Sequence, residues 1–166
     1  MVSVTFKNEP VTLIGEEVKT GDKAPDFQVL SNSLEKVSLS DYSGKVKLIS
    51  VVPSLDTGVC ADQTKRFNEE ADKLDNVQVI TVSMDLPFGQ KRWVEINKVD
   101  KMDTLSDHRD GNFGRNYGVL IEELRLLARS IFVVDSNDKV TYVEYVKEVS
   151  SHPDYDAALE AARKAQ

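Results

Sequence analysis

Residues 46–60 of the chain read Val46-Lys47-Leu48-Ile49-Ser50-Val51-Val52-Pro53-Ser54-Leu55-Asp56-Thr57-Gly58-Val59-Cys60. The segment from Val46 to Val52 is apolar and rich in β-branched residues, which predicts a buried strand. The chain then passes through a loop into a helix that we expect to begin at or just before Cys60. Because apolar residues recur at spacings of three and four after this point, the helix should extend to about Leu74.

Cys60 is the only cysteine in the chain. A thiol in the first turn of a helix lies among unpaired backbone N–H groups and near the positive end of the helix dipole, which favour the thiolate. The alternative is a cysteine that serves as a small buried apolar side chain. A single cysteine excludes an intrachain disulfide and a CxxC redox pair. Any redox chemistry at Cys60 therefore needs a second sulfur from another molecule.

The length and composition indicate a globular protein of ordinary type. The 166 residues predict one domain, residues 1–166. The net charge of −7 would repel a phosphate backbone, so nucleic acid is not an expected partner. No apolar run approaches the roughly 20 residues that span a bilayer, so no membrane association is expected. The polar start of the chain lacks the features of a signal peptide, and we expect a cytoplasmic protein.

The rest of the chain alternates between strand and helix patterns. Strands are predicted in an N-terminal β-hairpin over residues 2–14, at residues 27–30, 37–39 and 77–83, and in a hairpin of residues 131–135 and 140–145. Helices are predicted from near Pro87 to about Asn97 and from about Pro153 to Ala165. This order predicts the α/β class, with a mixed central sheet and helices on both faces. It suggests a thioredoxin-like core to which the N-terminal hairpin is an addition.

Two residues, Thr57 and Arg129, could stabilise a thiolate at Cys60. The hydroxyl of Thr57 could cap the helix, or could hydrogen-bond to the sulfur and to an incoming oxygen. Arg129 immediately precedes a strongly apolar strand, where an unpaired guanidinium would be costly to bury. It could act as a fixed charge that stabilises a thiolate or an oxyanion, although a salt bridge to an acidic group is an equally simple interpretation.

The two histidines offer a different chemistry. His108 follows Asp107 and could form a cysteine hydrolase pair with Cys60. His108 and His152 both lie in polar, loop-like segments, however, which favours surface or turn positions.

The segment from Pro53 to Cys60 matches the Pro-x-x-x-Thr-x-x-Cys active-site motif of peroxiredoxins. The wider chain resembles the bacterial thiol peroxidase subfamily over essentially its whole length. The likeness includes residues 21–27, residues 85–92, residues 105–109 and the Leu-Leu-Ala-Arg of residues 126–129.

The resemblance implies that Cys60 attacks the terminal oxygen of a peroxide and becomes a sulfenic acid. It also implies that Thr57 orients the peroxide, that Arg129 favours the thiolate and stabilises the transition state, and that Pro53 shields the sulfur from water. The family uses no metal or organic cofactor. Its members are commonly homodimers reduced by thioredoxin, and many favour alkyl hydroperoxides.

One departure from the subfamily concerns the second, resolving cysteine. Subfamily members usually carry it on the helix after Phe88, at the position where this chain has Val94. We therefore expect the Cys60 sulfenic acid to be reduced by an external thiol: thioredoxin, a small thiol, or Cys60 of a second subunit. A peroxide sensor that uses Cys60 stoichiometrically is the alternative. Leu86 and Phe88 could favour organic hydroperoxides, although core packing explains them equally well.

Overall fold

The computed structural model describes residues 2–166. In that range the strands are β1 (Val4–Phe6), β2 (Glu9–Val11), β3 (Leu13–Ile14), β4 (Gln28–Leu30), β5 (Lys36–Ser38), β6 (Val46–Val51), β7 (Val77–Ser83), β8 (Asp103–Ser106), β9 (Leu120–Ile121), β10 (Leu126–Leu127), β11 (Ser130–Val134) and β12 (Val140–Tyr145). The α-helices are α1 (Gly58–Ala71), α2 (Pro87–Asn97), α3 (Asn112–Asn116) and α4 (Tyr155–Lys164), and a 3₁₀ helix covers Leu39–Tyr42.

Seven of these strands form one mixed sheet in the order β12-β11-β6-β7-β8-β4-β5. The three middle strands, β6, β7 and β8, run parallel, and the strands on either side of them are antiparallel. Because parallel strands are buried on both faces, β6 is rich in apolar residues, and all six of its residues are buried, including Lys47 and Ser50. The predicted mixed α/β sheet is confirmed.

Alternate residues of β6 point into two separate cores. Ile49 packs on one face of the sheet, in a cluster that includes Phe113, at the second position of α3. Leu48 packs on the other face with Phe67 of α1 and Leu159 of α4. The period of two along the strand therefore places helices on both faces, as predicted.

The N-terminal hairpin is present but shorter than the predicted segment of residues 2–14. Phe6 pairs with Glu9, so the turn consists of Lys7 and Asn8. Both turn residues have positive φ, 52° and 67°, which is the backbone of a two-residue type I′ turn. Pro10 lies within β2 opposite Thr5, whose N–H and C=O bond to Lys147 and Val149 and not to β2, so the missing N–H of Pro10 costs no hydrogen bond with β1.

Several short strands, or their pairings, were not predicted. Strand β3 leaves the hairpin and pairs with β9, which also pairs with β10, in a small second sheet. Strand β8 ends at Ser106, within the polar segment around His108 that the sequence indicates as loop-like. None of the helices in residues 2–166 is long and apolar enough to cross a membrane.

Candidate active site

The loop between β6 and α1 is held by a carboxylate from the neighbouring strand connection. Asp85, which follows β7, accepts hydrogen bonds from the Ser54 hydroxyl at 2.7 Å and from the Leu55 backbone N–H at 2.8 Å. The hydroxyl of Ser83 also donates to this carboxylate, at 2.7 Å. Because three donors converge on one side chain, the loop that leads to Cys60 has a defined position relative to the sheet.

This loop delivers Cys60 to the third position of α1, in agreement with the predicted helix start. The residue is fully buried. Its Sγ accepts a hydrogen bond from Nη2 of Arg129 over a distance of 3.3 Å. Arg129, which is only 2% exposed, lies between β10 and β11. The structure thus brings together two predicted site residues that are 69 positions apart in the sequence.

The guanidinium of Arg129 is fixed by two further acceptors. Its Nε donates to the carbonyl of Val149 at 2.7 Å, and its Nη1 donates to Oε1 of Gln63 at 2.8 Å. The other end of the buried Gln63 amide donates to the Ser50 hydroxyl at 2.7 Å. Gln63 was not among the predicted site residues. Its spacing of three from Cys60 on a helix, which places both on one face, is the signal that could have identified it.

No salt bridge of Arg129 to a carboxylate occurs among residues 2–166, so the salt-bridge interpretation of this arginine is wrong. Its other two partners, an amide oxygen and a backbone carbonyl, are neutral. A buried cation without a counter-charge is strongly disfavoured. The sulfur of Cys60 is the one hydrogen-bond partner of the guanidinium that can carry a negative charge.

Pro53 and Thr57 lie beside this pair. A pocket of about 140 Å³ is lined by both residues together with Arg129, Val59 and Phe6. Pro53 is buried, whereas Thr57 is exposed. Thr57 occupies the N-cap position of α1, but its hydroxyl donates to the carbonyl of Ser54 at 3.1 Å and makes no capping hydrogen bond. Neither of the two contacts expected of Thr57, to the helix N–H groups or to the sulfur, is therefore formed.

Neither histidine is a hydrogen-bond partner of the sulfur among residues 2–166. His108 follows β8, and β7 separates β8 from β6, so the two strands are about 10 Å apart across the sheet. In residues 2–166 the hydrogen-bond partner of the Cys60 thiol is Arg129, not a histidine. His152 is exposed and its Nδ1 is 2.7 Å from the hydroxyl of Tyr155. This geometry does not provide the hydrolase pair that His108 could have formed.

Helix α2 carries the position at which the resolving cysteine was expected. Its Trp93 packs against the cluster of Val52, Leu55 and Cys60. The next residue, Val94, lines a separate groove with Val99 and Met102. Helix α2 is thus adjacent to Cys60, but the side chain that it packs against the Cys60 cluster is a tryptophan and not a thiol.

Leu86 and Phe88, at the start of α2, are 54% and 67% exposed. Their interpretation as core residues is wrong. They are also not the apolar lining of the pocket beside Arg129. That lining includes Phe6 and Val59.

Comparison with known proteins agrees with this site. The model of the Redoxin family matches residues 19–159. The chain belongs to the Redoxin family. It is 66% identical to a thiol peroxidase of Oceanobacillus iheyensis over 164 residues, which are 99% of this chain and 100% of the relative. It is 63% identical to a thiol peroxidase of Halalkalibacterium halodurans, over 99% of each chain.

The solved structure of a peroxiredoxin-like protein from Aquifex aeolicus is 38% identical and superposes with a TM-score of 0.93 over 100% of this chain and 98% of that one. These similarities confirm the thioredoxin-like fold of the redoxins and the resemblance to bacterial thiol peroxidases. The matched residues 19–159 include the Cys60 loop and Arg129, but begin after the N-terminal hairpin.

Proposed function

We propose that this redoxin is a thiol-dependent peroxidase that reduces hydrogen peroxide and organic hydroperoxides at Cys60. The thiolate attacks the terminal oxygen of the hydroperoxide, so an S–O bond forms as the O–O bond breaks. The sulfur is oxidised to a sulfenic acid, and the remaining oxygen leaves as an alkoxide that takes up a proton to become an alcohol, or water when the substrate is hydrogen peroxide.

The observation that carries this proposal is the hydrogen bond between Arg129 and the buried sulfur of Cys60. A fixed guanidinium favours the thiolate before attack and stabilises the charge that develops on the peroxide oxygens during it. It cannot accept a proton, so it does not act as a general base. The relatives named as thiol peroxidases favour catalytic turnover over stoichiometric use of Cys60 as a sensor.

Pro53 and Thr57 have supporting roles in the proposal. Pro53 is buried in the wall of the pocket and shields the sulfur from water. The Thr57 hydroxyl uses its proton in the bond to Ser54, so its oxygen is available to accept a hydrogen bond from the hydroperoxide O–H. In that arrangement the terminal oxygen is oriented by Thr57 and Arg129 together.

Replacement of the sulfur tests the assignment. Cys60→Ser is expected to abolish peroxide consumption while the far-UV circular dichroism and the melting temperature stay close to those of the wild type. A variant that still consumed peroxide with a thiol reductant would exclude Cys60 as the reacting group.

The sulfenic acid is reduced by an external thiol, because the chain contains no second cysteine. Condensation of the sulfenic acid with this thiol releases water and gives a mixed disulfide, and a second thiol then restores Cys60. Since the sulfur is fully buried, the first turn of α1 must open before a protein thiol can reach it.

The reductant in this proposal is thioredoxin or a small thiol. Mass spectrometry under non-reducing conditions, after one equivalent of peroxide and one of each thiol, should detect the mixed disulfide. Complete recovery of unmodified sulfenic acid with every thiol tried would contradict it.

We further propose a cytoplasmic homodimer. A reducing compartment would keep the single cysteine available as a thiol. Large apolar side chains on and beside α2, namely Leu86, Phe88 and Ile96, are between 54% and 70% exposed and could be covered by a second copy. Analytical ultracentrifugation should therefore show a dimer that Phe88→Glu weakens.

A further inference from the structure

The N-terminal hairpin forms part of the wall of the pocket beside Arg129. Phe6 and Lys7 line the pocket together with Pro53, Thr57 and Val59. Lys7 lies over the Phe6 ring, with its Nζ 5.9 Å from the ring centroid. The hairpin is therefore placed where it can contact the organic part of a hydroperoxide whose reacting oxygens lie near Cys60.

The size of the pocket exceeds what hydrogen peroxide requires. Its volume is about 140 Å³. A water molecule occupies roughly 30 Å³ of liquid, and an apolar cavity of about 150 Å³ is large enough for benzene. A branched alkyl or aryl group therefore fits beside the reacting oxygens, whereas hydrogen peroxide would leave most of the pocket to water.

The hairpin turn is held in place by one carboxylate, that of Glu148. It accepts hydrogen bonds from the backbone N–H groups of Lys7 at 3.2 Å and of Asn8 at 2.7 Å, and from the Thr5 hydroxyl at 2.8 Å. On its other side it accepts from both the N–H and the hydroxyl of Ser150, which also lines the pocket. Glu148 thus joins two parts of the pocket wall that are distant in sequence.

The carboxylate keeps its charge throughout the physiological pH range. The hydrogen bond from the Ser150 hydroxyl, with further bonds from Asn8, Ser150 and Thr5, lowers the pKa of Glu148 to about 2, although desolvation opposes this shift. Ion–dipole hydrogen bonds of this kind are stronger than neutral ones. They hold a turn whose residues, Lys7 and Asn8, both have positive φ.

We propose that Glu148 is a positioning residue that sets the selectivity for organic over hydrogen peroxide, by holding the Phe6–Lys7 wall against the pocket. This inference rests on the proposed peroxidase function. Strand β1 is also tied to the segment after β12 by backbone bonds of Thr5 with Lys147 and Val149. Loss of the carboxylate would therefore loosen the turn and leave β1 in place.

The test compares kcat/KM for cumene hydroperoxide with kcat/KM for hydrogen peroxide. Glu148→Gln is expected to lower the ratio of the two about tenfold, because loosened apolar contacts affect only the larger substrate. Phe6→Ala should lower it by a similar factor without disturbing the carboxylate.

Glu123→Gln is the matched control. Glu123 accepts hydrogen bonds from the Thr12 N–H and hydroxyl, so it also ties the N-terminal segment with a carboxylate. It does not line the pocket beside Arg129, and its replacement should leave the ratio unchanged.

The outcomes separate the inference from the function on which it rests. A wild-type protein that consumed neither peroxide would overturn both. If the wild type consumed both peroxides and Glu148→Gln kept the ratio, Glu148 would have no part in selectivity. An equal fall in kcat/KM for both peroxides in Glu148→Gln would also overturn the inference. It would show that Glu148 acts through Val149 and Arg129 and not through the pocket wall.

Discussion

Gln63 accepts a hydrogen bond of 2.8 Å from Arg129 and thereby connects α1, which carries Cys60, to the guanidinium that contacts its sulfur. The sulfur and the cation are thus positioned by the same helix. Because both groups are buried, a small change in either one alters the charge balance of the site without compensation from water.

Replacement of the cation tests its role. Arg129→Lys keeps the charge but cannot make the hydrogen bonds to Cys60, Gln63 and Val149 at once, so the rate of Cys60 oxidation by hydrogen peroxide should fall about a hundredfold. The single tryptophan, Trp93, packs against the Cys60 cluster and offers a stopped-flow fluorescence signal. Arg66→Lys, on the exposed face of α1, is the control and should oxidise at the wild-type rate. Similar rates for the two variants would count against the role of Arg129.

Removal of the amide at Gln63 leaves an N–H of Arg129 without its acceptor. We expect Gln63→Leu to lower the free energy of unfolding by about 1–3 kcal/mol and the oxidation rate about tenfold. Urea denaturation and stopped-flow fluorescence measure the two effects. Gln28→Leu, at an exposed position of β4, serves as the comparison, and an equal loss of rate in both variants would contradict a specific role for Gln63.

Asp85 is expected to control access to the sulfur. An asparagine at this position has one side-chain oxygen, so it could not accept the hydrogen bonds from the Ser54 hydroxyl and the Leu55 N–H on separate oxygens. The loop before α1 should therefore open more often. Asp85→Asn should therefore increase the rate at which a bulky maleimide alkylates Cys60 by about tenfold. The exposed Asp75→Asn provides a baseline, and equal alkylation rates for the two would show that Asp85 does not restrain the loop.

Asp107 is expected to make stability depend on pH. Burial raises the pKa of its carboxyl from 3.8 to about 6, although hydrogen bonds from the N–H groups of Gly114 and Phe113 oppose this. The folded state therefore holds this proton more tightly than the unfolded state, and the contribution of Asp107 to stability falls as the pH rises from about 4 to about 6.

Urea denaturation across this range should show that the free energy of unfolding of the wild type, relative to that of Asp107→Asn, decreases by up to about 3 kcal/mol. A difference that stayed constant or increased with pH would show that the carboxyl has an ordinary or lowered pKa.

The central elements could be predicted because their signals are local. Strand β7 and helix α2 have the predicted bounds, since a β-branched apolar run ends at Ser83 and a proline opens the helix at Pro87. The position of Cys60 in the first turn of α1 follows from the same kind of pattern. Such patterns depend on residues within one or two turns of one another, so they are readable without any knowledge of long-range contacts.

Strand β8 and the small sheet of β3, β9 and β10 could not be predicted in this way. Strands of two to four residues are too short to show a period, and they exist because a neighbouring strand satisfies their backbone groups. The sequence could not exclude a hydrolase pair of Cys60 and His108 for the same reason, since the distance between β6 and β8 depends on the strand order.

The sequence alone was sufficient for the thiol at a helix start and for the candidates Thr57 and Arg129. Only the tertiary structure showed that Arg129 lies 3.3 Å from the sulfur with neutral groups as its other partners. It also showed that Phe6 and Ser150, from the two ends of the chain, line the same pocket, and that Glu148 bonds to Ser150 and to the residue after Phe6. The physical reason is that a buried charge is defined by the groups around it in space, and these come from segments far apart in sequence.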